Sequence, residues 1–211
     1  MARTRATDYD DKRRAILDRS AALFAEHGYD RASMSRIAEA CGVSKANLYH
    51  YYKDKEELLF DVIRFHLEEL LEVVEGADRP DLSPAERLKS LVAALLEAYR
   101  DADAQHNVQI NGLRLLPTDR QAELKAMERD LVRIFSDAVA GVAPQLKGTK
   151  LLKPVTMSLF GMINWHYLWF KNTGEVTRAD YAELVSQLIV DGTRNLRAEP
   201  STRTRRAAAA E

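Results

Sequence analysis

The sequence of 211 residues predicts an all-α protein of about nine helices, and three observations carry that expectation. Apolar residues recur three and four apart rather than alternately. A Ser, Thr or Asp stands three residues before an acidic or amide side chain at five places, the pattern of a capping box. Turn-forming stretches separate the periodic ones, at 27–32, 42–44, 52–54, 76–80, 116–117, 141–149 and 172–176. Together these place helices at 8–27, 34–40, 45–51, 55–75, 84–103, 105–115, 119–140, 153–171 and 178–197.

The elements are justified in turn. The capping pairs are Thr7 with Asp10, Asp54 with Glu57, Ser83 with Glu86, Thr118 with Gln121 and Thr177 with Asp180. Pro84 follows Ser83 at a first helical position, where a missing N–H costs nothing. Three stripes read as core faces. They are Leu88, Leu91, Val92, Leu95, Leu96 and Tyr99; Leu124, Met127, Leu131, Ile134, Phe135, Ala138 and Val142; and Tyr181, Leu184, Val185, Leu188, Ile189 and Leu196. The stretch Pro154–Phe170 is apolar nearly all round and must be covered on every side, by core, a cavity or a partner subunit. Residues 198–211, with Pro200, scattered arginines and an alanine run, read as a disordered tail.

Composition narrows the function. Apolar residues make up 46% and charged residues 30%, ordinary for a folded chain. No apolar stretch reaches the ~18–20 residues of a membrane span, and the N-terminus lacks the apolar core of a signal peptide. A single cysteine, Cys41, rules out an internal disulfide or a cysteine-built zinc site and fits a cytoplasmic location. Cys41 itself reads as a small buried hydrophobe rather than a redox sensor. His50 and His66 lie in different helices with no Cys or His partners nearby, so no metal and no cofactor is expected. Residues 1–55 carry eleven Lys and Arg against eight Asp and Glu, while residues 56–211 carry twenty against twenty-four. The basic excess of the first quarter is the sign expected where a chain meets phosphate.

Residues 33–52, SMSRIAEACGVSKANLYHYY, hold two short helices joined at Cys41-Gly42-Val43, a helix-turn-helix. Ile37, Ala38, Val43 and Leu48 supply the contacts between them, and Tyr51 and Tyr52 pack at the end. The second helix offers a polar face of Ser44, Lys45, Asn47, Tyr49 and His50, able to reach phosphates and base edges in a major groove. Arg3 and Arg5 precede the first helix, where a minor-groove arm and a solvated end are equally compatible with the sequence.

From Ile16 through Leu59 the chain resembles the DNA-binding domain of TetR-family transcriptional regulators, through ILDRSAALFAEHGYDRASM, IAEACGVSKANLYHYY and KDKEELL in order. The resemblance implies a helix-turn-helix domain over 1–54 and a helical ligand-binding and dimerisation domain over 55–197. It implies a cytoplasmic homodimer on a double-stranded, pseudo-palindromic operator, acting as a repressor. Carried over by position, the DNA-facing residues are Ser33, Arg36, Ser44, Lys45, Ala46, Asn47, Tyr49, His50 and Lys55. Lys45, Tyr49 and Lys55 match phosphate-holding positions, and Ala46 and Asn47 match base-facing ones. Arg36 departs from the small or acidic residue common there.

The phrases SLFGMINWHYLWF and NGLRLLPTDRQAELKAMERDLVRIF resemble regulators of fatty-acid, steroid and aromatic-acid breakdown, many of which respond to acyl-CoA thioesters. That implies an effector site of Gln109, Ile110, Leu113, Arg114, Phe160, Ile163, Asn164 and Trp165, with Arg114, Lys171 and Arg178 as cations for a nucleotide. The effector would be an acyl-CoA or aryl-CoA. A steroid- or drug-like effector would need the same apolar cavity without the phosphate site. An enzyme finds no support, since there is no phosphate-binding Gly-rich loop, HExxH pair, GxSxG elbow or Cys–His constellation. A helical interaction protein would leave the polar recognition face unexplained.

Overall fold

The computed structural model describes residues 2–171 and 173–197, with side chains from Tyr9 onward. The expected tail at 198–211 and the side chains of Arg3 and Arg5 lie outside the described residues. The described residues form nine α-helices and no strand. These are α1 (Ala2–His27), α2 (Met34–Ala40), α3 (Lys45–Tyr51), α4 (Lys55–Ala77), α5 (Pro84–Ala98), α6 (Asp103–Gly112), α7 (Thr118–Val142), α8 (Leu152–Asn164) and α9 (Arg178–Thr193). No helix among them is long and apolar enough to cross a membrane.

The chain gathers into two compact units, one from Met1–Glu69 with Asp101–Met127, the other from Leu70–Arg100 with Glu128–Glu211.

In the first unit α1 packs on α2 and α6, and α2 on α3. Ile16, Leu17, Ala21, Phe24, Ile37, Leu48 and Ile63 form its core. The Gln105 amide donates to Asp18 at 3.0 Å, tying α6 to α1. Arg13 pairs with Asp61 at 2.5 Å, and Arg120 lies 4.1 Å over the Phe60 ring. At Gly112 an added Cβ would come within 3.1 Å of the Leu59 Cδ1, a contact that the Leu59 side chain would have to relieve by a few tenths of an ångström where α6 meets α4. His66 and His106 are buried with ring centroids 6.1 Å apart. The expectation that His66 has no histidine partner is therefore corrected, since α6 brings His106 to it. No group of three or more metal-ligating side chains occurs among the described residues.

In the second unit the α5 stripe from Leu88 to Tyr99 is buried throughout, and α9 packs against α5 and α8. Ser83 closes a complete capping box with Glu86, as does Thr177 with Asp180. Arg87 forks onto Asp78 at 2.5 and 2.9 Å, which holds the Asp78 carboxyl below the usual range. Phe135 and Phe160 meet edge to face at 5.0 Å.

Several expected boundaries are corrected. Helix α1 already starts at Ala2, so Thr7 lies inside it rather than at its start. Helix α7 starts at Thr118 itself, and Gln121 turns its amide onto the Leu116 carbonyl at 2.9 Å. Helix α5 ends at Ala98 rather than 103, because Asp101 adopts φ +61°, a left-handed conformation that a helix cannot contain. The helix expected over 153–171 stops at Asn164 and tightens into a 3-10 turn, His166–Leu168. There the His166 Nδ1 sits 3.0 Å from the Ile163 carbonyl.

The stripe on α9 is covered only in part within one chain. Tyr181, Val185 and Ile189 are buried in the chain, but Leu184 and Leu188 are 52% and 53% exposed. Pro154–Phe170 is likewise not covered on every side within the chain, since Met157, Trp165, Leu168 and Trp169 remain exposed.

Candidate nucleic-acid interface

The two short helices owe their starts to serine. The Ser33 hydroxyl accepts the Arg36 amide at 3.3 Å and the Ser44 hydroxyl accepts the Asn47 amide at 3.1 Å. Each bond satisfies one of the amides that a helix start leaves unpaired. Between the helices Gly42 stands at φ +66°, with nothing within 4 Å of where a Cβ would be. The need for glycine there is backbone conformation, not space. Its amide bonds Glu39 and the Val43 amide bonds Ala38, both at 3.0 Å, closing the turn.

Leu48 is fully buried and anchors α3, which leaves Ser44, Lys45, Ala46, Asn47, Tyr49 and His50 all exposed. The expected recognition residues are therefore all open to solvent, with Asn47 also lining a cleft beside Lys12, Ala15 and Arg19 of α1. The Lys45 ammonium lies 5.8 Å over the Tyr49 ring, one helical turn away. Ser33 and Arg36 are exposed on α2, and the Arg36 guanidinium donates to the Arg31 carbonyl at 3.2 Å. Tyr52 is buried, while Tyr51 stacks on Tyr9 of α1 with centroids 4.8 Å apart, so both serve packing as expected. Cys41 is half-buried with its thiol pKa pushed up by burial, the opposite of an activated thiolate.

Lys55 has a connection that sequence reasoning missed. Its ammonium donates to the Tyr29 carbonyl at 2.7 Å and lies 4.1 Å over the Tyr29 ring. The start of α4 is thereby clamped to the turn after α1, and two of the three ammonium N–H groups remain for another acceptor. Beside it the Asp54 carboxylate accepts the Glu57 amide at 2.7 Å and the Glu57 carboxylate accepts the Lys53 amide at 2.9 Å.

The expected effector residues divide between the two compact units. In the first, Gln109 and Leu113 are half-buried and Ile110 and Arg114 exposed. In the second, Phe160 and Ile163 are core residues, Asn164 is half-buried and Trp165 is 53% exposed. The Tyr99 hydroxyl donates to Asn164 Oδ1 at 2.9 Å, and burial alone pushes that phenol far up its range. His166 stacks on Tyr99 and on Tyr181, at 5.9 and 6.4 Å, with Phe170 at 5.6 Å. This aromatic cluster was not foreseen, because the 3-10 turn that aims His166 leaves no periodic signature. Of the expected cations, Arg178 stacks on Phe170 at 5.0 Å, whereas Arg114 and Lys171 are exposed.

Residues 16–62 match the family described as bacterial regulatory proteins, tetR family, and residues 81–193 match the tetracyclin repressor-like C-terminal domain. A TetR-family transcriptional regulator from Bordetella parapertussis 12822 is 37% identical, with a TM-score of 0.80 over 89% of this chain and 98% of its own. AibR, solved in complex with isovaleryl coenzyme A and operator DNA, is 27% identical with a TM-score of 0.73, covering 85% and 98%. The transcriptional regulator RutR of Escherichia coli (strain K12) is 29% identical over 201 residues, 87% of this chain and 91% of its own length.

Proposed function

The chain belongs to the TetR family of bacterial regulatory proteins, a DNA-binding transcriptional regulator and not an enzyme, and from that premise we propose a repressor dimer released from its operator by an acyl-CoA or aryl-CoA thioester. The observation that carries the DNA-binding half is the exposure of the N-cap Ser44 and of Lys45, Ala46, Asn47, Tyr49 and His50 around one buried leucine. Asn47 and Ala46 read base edges, Lys45, Tyr49 and Lys55 hold phosphates, and Ser33, Ser44, Arg36 and His50 flank them. Two such helices in a dimer enter successive major grooves about 34–36 Å apart.

The dimer is supported by Leu184 and Leu188, which α9 leaves exposed although they continue an apolar stripe. A second copy of α8 and α9 would cover them. The thioester is supported by the likeness to AibR and by the apolar α8 that ends in Phe160, Ile163, Asn164 and Trp165. Binding that prefers the released state by about 3 kcal/mol would weaken operator affinity roughly 150-fold.

The test is a thermal-shift and operator-release screen of CoA thioesters beside their free acids. Stabilisation and release by a thioester alone is the expected result. Release by a free acid or a drug-like compound, with no response to any thioester, overturns the thioester reading and leaves the regulator standing.

A further inference from the structure

The first compact unit contains a cavity of about 190 Å³ among α1, α4 and α6, with walls from Phe24, Ala25, Leu59, Val108 and Leu115. An apolar cavity of about 150 Å³ holds benzene in another protein, so this one has room for a single ring with a small substituent. Asn107 and Asn111 add the polar part of the lining, and the Asn111 amide donates to the Asn107 carbonyl at 3.1 Å. No charged side chain lines it among the described residues. A carboxylate seated among these walls would find no charged side chain in the lining to pair with, so a neutral ligand is favoured over an anion of the same shape. Leu115 and Asn111 are exposed, which gives the cavity access to solvent.

Tyr29 makes the position consequential. It lines the cavity, packs at 5.6 Å on Phe24, and carries the carbonyl and ring that the Lys55 ammonium grips at the start of α4. Residues 30–33 lead from Tyr29 directly into α2 of the helix-turn-helix. Whatever occupies the cavity touches the residue that joins α1, α2 and α4.

We propose that this cavity is a second effector site, for a neutral monocyclic aromatic molecule bearing one hydrogen-bonding substituent, and that its occupancy is read in operator affinity through Tyr29 and Lys55. It stands independently of the CoA reading, since its walls come from other residues and favour a neutral ligand.

The experiment titrates the full chain with benzyl alcohol, toluene and benzoate by ligand-observed NMR, and repeats operator binding on a duplex selected from a random pool. Saturable binding in the order benzyl alcohol, toluene, benzoate is expected, with at least a threefold change in operator affinity at saturation. Ala25→Phe and, separately, Leu115→Trp fill the cavity from opposite walls. A filled variant that keeps the wild-type melting temperature should lose both responses while retaining any thioester response. Absence of saturable binding, benzoate binding as well as benzyl alcohol, or binding undiminished in both folded variants overturns the site. Saturable binding with unchanged operator affinity overturns its regulatory role.

Discussion

Between residues 33 and 50 the exposed side chains include Ser, Arg, Lys, Asn, Tyr and His on helices of seven residues and their caps, whereas between 157 and 188 they include Met and Leu on helices of thirteen and sixteen and Trp in the segment that joins them. Both faces are anchored alike, by a buried Leu48 in one and by buried Leu159, Phe160, Val185 and Ile189 in the other. What differs is the kind of cover each face awaits. The first offers donors to a polyanion, whose contacts are made and broken in water and respond to salt. The second exposes area that water solvates poorly, and a second protein surface relieves that cost at roughly 25 cal/mol per Å² buried.

The largest expected effect would break the comparison from the apolar side. Leu184→Asp with Leu188→Asp should leave the folded chain intact, because both are already half exposed, yet convert the dimer to monomers by sedimentation. Loss of the second half-site should then lower operator affinity by at least about 100-fold. A dimer that survives both changes removes α9 from the interface.

On the polar side, Asn47→Ala should cost on the order of 1–3 kcal/mol and relax preference at one operator position, read by selection from a randomised duplex pool. A uniform loss across all sequences would mean that Asn47 meets backbone rather than bases.

A buried polar pair offers a third measurement, where stability rather than binding is the readout. Burial, and secondarily the neighbouring His106, push the His66 imidazole down to about 3. The folded chain therefore keeps it neutral, while the unfolded chain takes a proton below about pH 6.5. Its contribution is complete above that value and is lost as pH falls towards 3, by up to about 1.4 kcal/mol per pH unit. Chemical denaturation at pH 7 and pH 5 should show this loss, and His66→Leu should flatten it. An unchanged slope in the variant assigns the loss elsewhere.

The smallest effect separates two lysines. Lys45→Ala and Lys55→Ala should each weaken all sequences and reduce the salt slope by about one unit. Lys55→Ala should also lower stability by about 0.5–1.5 kcal/mol, since the Tyr29 carbonyl loses its donor, whereas Lys45→Ala should not. Equal stabilities would show that the clamp contributes nothing to the fold.

Nearly all of the helix-turn-helix was legible in the sequence. A capping serine acts on an amide three residues on, and a glycine at positive φ acts on its own turn, so the signals for α2 and α3 lie within a few residues of each element. The polar face of α3 followed from a single buried position, Leu48, one turn from its neighbours. The same locality explains why Ser83 and Thr177 were read correctly as caps, and why Thr7 was not: whether a helix begins earlier depends on residues before the signal.

What only the tertiary structure decided involves residues far apart in the chain. Gln105 meets Asp18 across 87 positions and Lys55 meets Tyr29 across 26. His66 meets His106 only because α6 folds beside α4, and Leu184 differs from Val185 only because α5 and α8 cover one side of α9. Periodicity reports that a helix has an apolar stripe, but the width of stripe its own chain covers is set by what packs against it. A clamp or a paired histidine leaves no periodic trace at all, since one side chain on each element is enough to make it.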